Sequence, residues 1–229
     1  MGKHIPLVSI IVPTRTIDSY AKRCIKACKK YCPDAELIVV TDKICAGHPA
    51  GKRNYAMRIA KGHIYAFIDS DAYPPEDWMR NALYWLKSFP AVCGPGVLPP
   101  DAPFGEKVAD QVHKWMFCPY RVIPQSARVV RWHPTFNLIV WKESASQFED
   151  YLTGEDDKFC SNIEEGIFYH PDILVYHNRR GIFKPLWSQF GVWARHKGHF
   201  QRLAFVAWLT TLWVYAINFV RGFFKRRLS

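Results

Sequence analysis

Apolar runs of strand length alternate with stretches of helical spacing from the start of the chain to Phe89. The predicted strands are Leu7–Val12, Leu37–Val40 and Ile64–Ile68, and the predicted helices are Ser19–Tyr31, Pro49–Lys61 and Pro75–Phe89. We expect Gly62 to cap the second helix, and Glu76 and Asp77 to lie in the first turn of the third. Strands that alternate with helices predict an α/β fold with a mainly parallel, doubly wound sheet.

The pattern is less regular after Phe89. The predicted elements there are a strand and turn at Val92–Gly96, helices at Phe104–Phe117 and Glu155–Ile163, and strands at Phe136–Trp141 and Leu174–Tyr176. We place no domain boundary before about residue 180, because the chain length suits one α/β domain with an appendage. The prediction is therefore one domain over residues 1–200 and a separate segment at residues 201–229.

The segment Leu203–Val220 contains no charged residue. As a helix it would be roughly 27 Å long, which is just enough to span a thin bilayer. The alternative is a helix in a soluble core, because a helix that is apolar all round must be buried in something. Basic clusters flank both ends, so we favour a re-entrant or in-plane membrane helix over a single span. This predicts a protein at the cytoplasmic face of the cell membrane, with the anionic membrane surface as a partner. The same C-terminal helix is also a candidate contact for a homo-oligomer.

The formal net charge is +11, and no Asp or Glu occurs from Ile173 to Ser229. Such asymmetry indicates either a nucleic-acid face or an anionic membrane face. The uninterrupted apolar segment argues against nucleic acid, because phosphate-binding surfaces interleave basic residues with polar ones. Cysteines 24, 28 and 32 share one helical stripe, which predicts a core face and not a set of metal ligands. Free buried thiols fit a reducing cytosol.

Two carboxylates follow the third predicted strand, in the sequence Asp69-Ser70-Asp71. A buried strand that ends there directs both side chains to the carboxyl edge of the sheet, where open α/β sheets bind ligands. Oxygen ligands at this edge suit a divalent cation that also holds a diphosphate. The alternative is a turn that is acidic only because Asp is a common turn residue.

Four motifs in this order resemble the family 2 glycosyltransferases, which have the GT-A fold. They are Val8–Thr14, the segment Gly47–Asp71, the acidic Gly154–Asp157 and the strand end Tyr176–Arg180. The resemblance covers residues 7 to about 200. It implies a Rossmann-like mixed sheet, mainly parallel and flanked by helices. It also implies an inverting, metal-dependent hexosyltransferase that moves a sugar from a nucleotide-diphosphate sugar donor to a lipid-linked or glycan acceptor.

The resemblance assigns a divalent metal, Mn²⁺ or Mg²⁺, to Asp71 and Asp69, with His177 as a third candidate ligand. Candidate donor-binding residues are Pro13, Thr14, Arg15, Asp42, Lys52, Arg53, Asn54, Asp69 and Ser70. Lys52 and Arg53 would reach the diphosphate, and the alternative for both is a solvated helix face. The alternative for His177 is a structural histidine satisfied by a neighbour.

On the acceptor side, Asp156 is the candidate base with Glu155 beside it. The alternative is that these acids only serve the helix macrodipole. Candidate contacts for the acceptor or a lipid phosphate are Trp187, Gln189, Trp193, Arg179, Arg180 and Arg195. Val192 stands where processive synthases of similar sequence have an arginine, so processive polymerisation is not expected. A nucleic-acid-binding protein and a catalytically inactive membrane scaffold remain the alternative functions.

Overall fold

The computed structural model describes residues 7–108, 110, 126–149 and 154–179. Its strands are β1 (Val8–Pro13), β2 (Glu36–Val40), β3 (Ile64–Ile68), β4 (Ala72–Tyr73), β5 (Ala91–Cys93), β6 (Gly96–Val97), β7 (Arg128–Val130), β8 (Asn137–Trp141), β9 (Ile167–Tyr169) and β10 (Val175–His177). Its helices are α1 (Ser19–Tyr31), α2 (Pro49–Ile59), α3 (Trp78–Trp85) and α4 (Glu155–Ser161). A short 3₁₀ turn follows β8 at Lys142–Ser144.

The first three strands form a parallel unit, as the sequence predicts. Strand β1 lies between β2 and β3 and pairs with both in parallel. All residues of β1 and β3 are buried, because helices cover a parallel sheet on both faces. The continuous apolar runs that mark these strands in the sequence follow from this two-sided burial.

Beyond β3 the larger sheet is not mainly parallel, and that part of the prediction is wrong. The seven strands are ordered β2-β1-β3-β8-β5-β9-β7. Strand β8 is antiparallel to both of its neighbours, β7 is antiparallel to β9, and β9 is parallel to β5. The fold is therefore a mixed α/β sheet with flanking helices.

A second sheet of three strands, ordered β4-β10-β6, was not predicted. Its strands have two or three residues each, which is too short for a period of two to be recognised in the sequence. Ala72 pairs with His177 in this sheet. The small sheet thereby brings the end of β10 next to the acidic turn that follows β3.

Helix α1 has the predicted bounds, and Asp18 caps it by accepting a hydrogen bond from the Ala21 N–H at 2.9 Å. Helix α2 ends at Ile59 with Ala60 as its C-cap, so the predicted cap at Gly62 is wrong. Helix α3 begins only at Trp78, so the acids expected in its first turn precede the helix. Residues 104–108 are helical, as predicted for that region, whereas residues 111–125 lie outside the description.

The predicted cysteine stripe packs in the core. Cys24 and Cys28 on α1 and Cys32 just after it are all buried. Burial is the main cause that raises the pKa of Cys32 to about 12. The burial of this thiol fits the predicted role of a packing group in the core.

The segment Leu203–Val220 and the whole of residues 201–229 lie outside the described residues. Within residues 7–179, as far as they are described, no helix has both the length and the apolar character needed to cross a membrane.

Asn137 joins four parts of the fold through its buried side-chain amide. Its Nδ2 donates to the carbonyl oxygens of Gly94 at 2.9 Å and Ile173 at 2.6 Å. Its Oδ1 accepts from the indole N–H of Trp78 at 2.9 Å. Gly94 is required beside it, because a Cβ there would lie 2.0 Å from the Ile173 oxygen. The amide thus ties β8 to α3, to the turn after β5 and to the loop before β10.

We expect Asn137→Ala to lower the free energy of unfolding by about 3 kcal/mol, because it leaves buried donors and acceptors without partners. Urea denaturation measures this change. Asn162→Ala is the matched control, since that amide is exposed and donates to the Ser146 hydroxyl, and its effect should stay within about 1 kcal/mol. Equal effects of the two substitutions would show that the Asn137 network does not stabilise the fold.

Candidate functional site

A cleft of about 470 Å³ opens at the carboxyl ends of β1 and β3. The predicted residues that line it are Pro13, Thr14, Arg15, Lys52, Arg53, Asp69, Ser70, Asp71, Glu155 and Asp156. The first residues of α2 and α4 complete its walls. The structure therefore brings the donor-side and acceptor-side acids of the sequence analysis into one cavity.

The backbone after β3 directs Asp69 and Asp71 into this cleft. The Asp69 carbonyl accepts a hydrogen bond from the Ala72 N–H at 2.9 Å, which closes a tight turn. The Asp71 carbonyl accepts from both the backbone N–H and the Nδ2 of Asn178, each at 2.9 Å. The turn is thereby fastened to the end of β10, and His177 Nε2 lies 3.4 Å from Asp71 Oδ1.

We call Asp69, Asp71 and His177 the candidate cation centre. Each offers one ligand atom, and these atoms all lie within 4.8 Å of one another. Burial raises the pKa of Asp69, Arg53 opposes that rise, and the neighbouring Asp71 charge adds to it. The Asp69 side chain still exposes 35% of its surface, so a ligand can reach it. Two close carboxylates of this kind fit a hard divalent cation, whose charge would relieve their repulsion.

Arg53 brings a buried positive charge into the cleft. Its side chain is only 4% exposed, so the interpretation of this part of α2 as a solvated face is wrong. Its terminal nitrogens lie 3.1 Å from Asp69, 3.3 Å from Glu155 and 3.7 Å from Asp156. The guanidinium therefore links the acidic turn after β3 to the acidic start of α4.

Lys52 is also buried, and it holds the loop between β2 and α2. Its ammonium lies 2.6 Å from the Asp42 carboxylate and 2.6 Å from the Gly47 carbonyl. Asp42, a predicted donor-binding residue, stands beside the cleft and is not among its lining residues. The solvated-face interpretation is therefore wrong for Lys52 as well.

Asn54, another predicted donor-binding residue, bonds to the main chain of Phe148. Its Nδ2 donates to the Phe148 carbonyl at 2.7 Å, and its Oδ1 accepts from the Phe148 N–H at 2.8 Å. The amide is thus used by the main chain of Phe148, whose ring also lies 5.4 Å from the Arg53 guanidinium. The structure gives Asn54 a role in positioning this wall and does not place it among the cleft residues.

Glu155 and Asp156 begin α4 after Gly154, whose φ of +91° favours glycine. Thr135 holds Asp156, because its hydroxyl donates to Asp156 Oδ1 at 2.7 Å. Burial, and then the charge of Asp156, raise the pKa of Glu155. Glu155 and Asp156 therefore also contact Arg53, and Asp156 contacts Thr135, so the helix macrodipole is not their only favourable interaction.

Arg179, predicted as an acceptor or lipid-phosphate contact, pairs with two acids of this chain. Its Nε lies 3.0 Å from the buried Asp110 carboxylate, and its backbone N–H donates to Glu106 at 3.0 Å. Its Nη1 lies 3.2 Å from His177 Nδ1. The remaining predicted acceptor residues, Arg180, Trp187, Gln189, Trp193 and Arg195, lie outside the described residues.

Several residues of the site were missed by the sequence analysis. Those that line the cleft are Thr16, Asp18, Gly47, His48 and Pro49, and those that support it are Glu106, Asp110 and Thr135. A signal was available for the first group, because Gly47, His48 and Pro49 lie within the quoted segment Gly47–Asp71 and the other two residues closely follow the motif Val8–Thr14. The supporting residues carry no local signal, because each acts through a partner distant in sequence.

The sequence model of Glycosyl transferase family 2 matches residues 47–145. The Escherichia coli protein "UDP-Glc:alpha-D-GlcNAc-diphosphoundecaprenol beta-1,3-glucosyltransferase WfaP" is 36% identical over 55 residues, which are 24% of this chain and 22% of that protein. The chain thus matches about a fifth of the length of this curated relative.

Two solved structures share the fold. A197 from STIV has a TM-score of 0.51 at 18% sequence identity, over 74% of this chain and 84% of that one. S. aureus TarS 1-349, solved in complex with UDP-GlcNAc, has a TM-score of 0.51 at 18% identity, over 76% of this chain and 58% of that one. At these identities the likeness concerns the fold alone, and the mixed sheet with flanking helices fits the GT-A fold. The segment that matches the family model contains α2 and the Asp69–Asp71 turn, and this match supports a family 2 glycosyltransferase.

Proposed function

We propose that the chain transfers a hexosyl group from a nucleoside-diphosphate sugar to a hydroxyl group of a lipid-linked or glycan acceptor, with inversion at the anomeric carbon. The observation that carries this proposal is the pair of acidic groups in one cleft, Asp69 and Asp71 on one side and Glu155 and Asp156 on the other. One side suits a cation-bound diphosphate, and the other suits a base.

The donor side is proposed to hold the diphosphate. Asp71 and Asp69 would bind Mn²⁺ or Mg²⁺, since both cations prefer oxygen ligands. A bound cation supplies positive charge that stabilises the negative charge developing on the departing diphosphate. Arg53 keeps the Asp69 carboxylate in place through its 3.1 Å contact, so the ligand atoms are oriented before the donor arrives.

The acceptor side is proposed to remove a proton. Asp156 would take the proton of the acceptor hydroxyl while the hydroxyl oxygen forms its bond to the anomeric carbon. The bond between that carbon and the diphosphate oxygen breaks, and its electron pair leaves with the diphosphate. The hydrogen bond from Thr135 and the 3.7 Å contact with Arg53 orient the Asp156 carboxylate for this step.

A lipid-linked acceptor is supported by two observations. The E. coli relative carries the name of an enzyme that acts on a GlcNAc-diphosphoundecaprenol. The sequence from Ile173 to Ser229 combines an absence of acids with the apolar segment Leu203–Val220, a pattern that favours an anionic membrane surface. We therefore propose that the reaction takes place at the cytoplasmic face of the membrane.

A nucleic-acid ligand is not favoured at this cleft. Its lining carboxylates, Asp69, Asp71, Glu155 and Asp156, would repel a phosphate backbone in the absence of a cation. The described residues therefore support the transferase over the alternative of a basic nucleic-acid-binding protein.

We expect Asp71→Asn to lower kcat for sugar transfer by about 10²- to 10³-fold, because the charge that holds the cation is lost. EDTA should abolish turnover of the unaltered protein, and Mn²⁺ should restore it. Asp101→Asn is the matched control, since that carboxylate is 66% exposed and pairs with Arg23 away from the cleft lining. Full activity of the Asp71 variant in EDTA would contradict the metal-dependent mechanism.

Asp156→Asn should lower kcat by about 10²- to 10⁴-fold while the KM for the donor changes little, because the amide cannot accept the acceptor proton. Steady-state kinetics with separate variation of donor and acceptor measures the two constants. The neighbouring Asp157→Asn is the control, because Asp157 is exposed. A loss of donor affinity with unchanged kcat would place Asp156 in donor binding and remove it as the base.

A further inference from the structure

The outer face of α1 carries charge of one sign. Its exposed lysines are three or four residues apart, which places them on one side of the helix: Lys22, Lys26, Lys29 and Lys30. We call these four residues the lysine face. The helix contains no Asp or Glu, and within the described residues none of the four lysines forms an ion pair. The described part of the chain therefore leaves this positive charge without a carboxylate partner.

The stability of the helix does not account for these lysines. Like charges three or four residues apart repel one another, and Lys26 has such a neighbour on each side. Lys29 and Lys30 lie in the last turn, where the macrodipole favours a cation. Lys22 is the fourth residue of the helix, near the end that the macrodipole makes unfavourable for a cation. An anionic partner along the face would replace this repulsion by attraction.

An exposed aromatic ring lies beside the same helix. Phe104 exposes 82% of its surface. Asp101, three residues before it, accepts a hydrogen bond from Arg23 of α1 at 2.9 Å. Glu106, two residues after it, accepts one from the Tyr20 hydroxyl of α1 at 2.9 Å. The surface of the protein at α1 thus combines basic side chains with a large apolar one, which is the combination that binds the interface of an anionic bilayer.

The described chain also ends close to α1. The backbone N–H of Arg179 donates to Glu106 at 3.0 Å, and Glu106 contacts α1 through Tyr20. The sequence after Arg179 contains no acid and includes the apolar segment Leu203–Val220. The connection to the segment that is proposed to reach the membrane therefore begins at a point beside α1.

We propose that the lysine face, together with Phe104, is a docking surface for an anionic lipid bilayer. The inference rests on the membrane location given under the proposed function, and it adds a contact made by the glycosyltransferase domain itself. The ammonium groups would lie among the lipid phosphates, and the ring would enter the interface. Asp18 caps α1 and also lines the cleft. A bilayer bound along this helix would therefore hold the cleft near the surface that carries a lipid-linked acceptor.

A nucleic acid is the other anionic partner that a basic helix face can bind. Nucleic-acid sites use arginine, asparagine and glutamine side chains for bidentate hydrogen bonds to bases and phosphates. The lysine face offers only ammonium groups, which are point charges without that geometry. Its composition favours lipid headgroups, for which non-specific attraction is sufficient.

The first experiment is acetylation of the lysines in the full chain, read by mass spectrometry, with vesicles but without donor or acceptor. Vesicles of phosphatidylcholine mixed with phosphatidylglycerol are compared with vesicles of phosphatidylcholine alone. We expect the lysine face to react about fivefold more slowly with the anionic vesicles, since a lysine near such a surface gains roughly this factor. Exposed lysines elsewhere should react equally with both, namely Lys61, Lys142 and Lys158. Equal rates for the lysine face with both kinds of vesicle would overturn the proposal.

The second experiment measures the affinity of two variants of the full chain for the anionic vesicles by flotation. The first variant combines Lys22→Gln, Lys26→Gln and Lys29→Gln. The control removes the same charge elsewhere, through Lys61→Gln, Lys142→Gln and Lys158→Gln. Lys61 follows α2 and Lys158 lies on α4, and both helices pack on the face of the larger sheet opposite to α1. We expect the first variant to lose about 100-fold in affinity and the control to lose less than about fivefold. Equal losses would show that net charge and not this face determines binding, which would overturn the proposal.

The outcomes separate this inference from the proposed function. If the chain floats with the anionic vesicles while the lysine face stays reactive, the membrane location stands and the docking surface is wrong. If the chain does not float, both are wrong. Protection of the lysine face by duplex DNA and not by vesicles, or protection that rises with protein concentration alone, would assign the face to another partner and overturn the proposal. Absence of sugar transfer would count against the proposed function, whereas the acetylation rates, recorded without donor, still decide the docking surface.

Discussion

The candidate site depends on one buried positive charge, the guanidinium of Arg53. Its contacts join Asp69 to Glu155, and Glu155 is 102 positions away from Arg53 in the sequence. Without this charge, the carboxylates of the two acidic segments would repel one another in a partly desolvated cleft. The arginine between the two acidic segments therefore offsets the repulsion of acids that lie close together in the cleft.

The same principle explains the other charges around the cleft. Lys52 neutralises Asp42 and fixes the loop before α2, and Arg179 neutralises Asp110 behind His177. In each case a cation from one segment fastens an acid from another. These basic residues therefore orient acids around the cleft, and their predicted role as direct ligand contacts stays a prediction.

The first half of the fold could be predicted because its strands β1 and β3 are buried on both faces and appear as continuous apolar runs. The antiparallel position of β8 between β3 and β5 could not be predicted, since the direction of a strand depends on the connection that leads to it and not on its residues. The acids of the site were found through local motifs. The positions of Asn54 and Arg179 were not found in this way, because each side chain is held by a hydrogen-bond partner distant in sequence.

The central claim is that the carboxylates at the end of β3 bind a divalent cation together with the donor diphosphate. Its most direct test is a crystal structure of the full chain with Mn²⁺ and a nucleoside-diphosphate sugar, using the anomalous signal of manganese. The account predicts an anomalous peak about 2.0–2.6 Å from oxygens of Asp71 or Asp69, with the diphosphate bound to the same ion. A donor bound elsewhere, with no ion at these carboxylates, would contradict it.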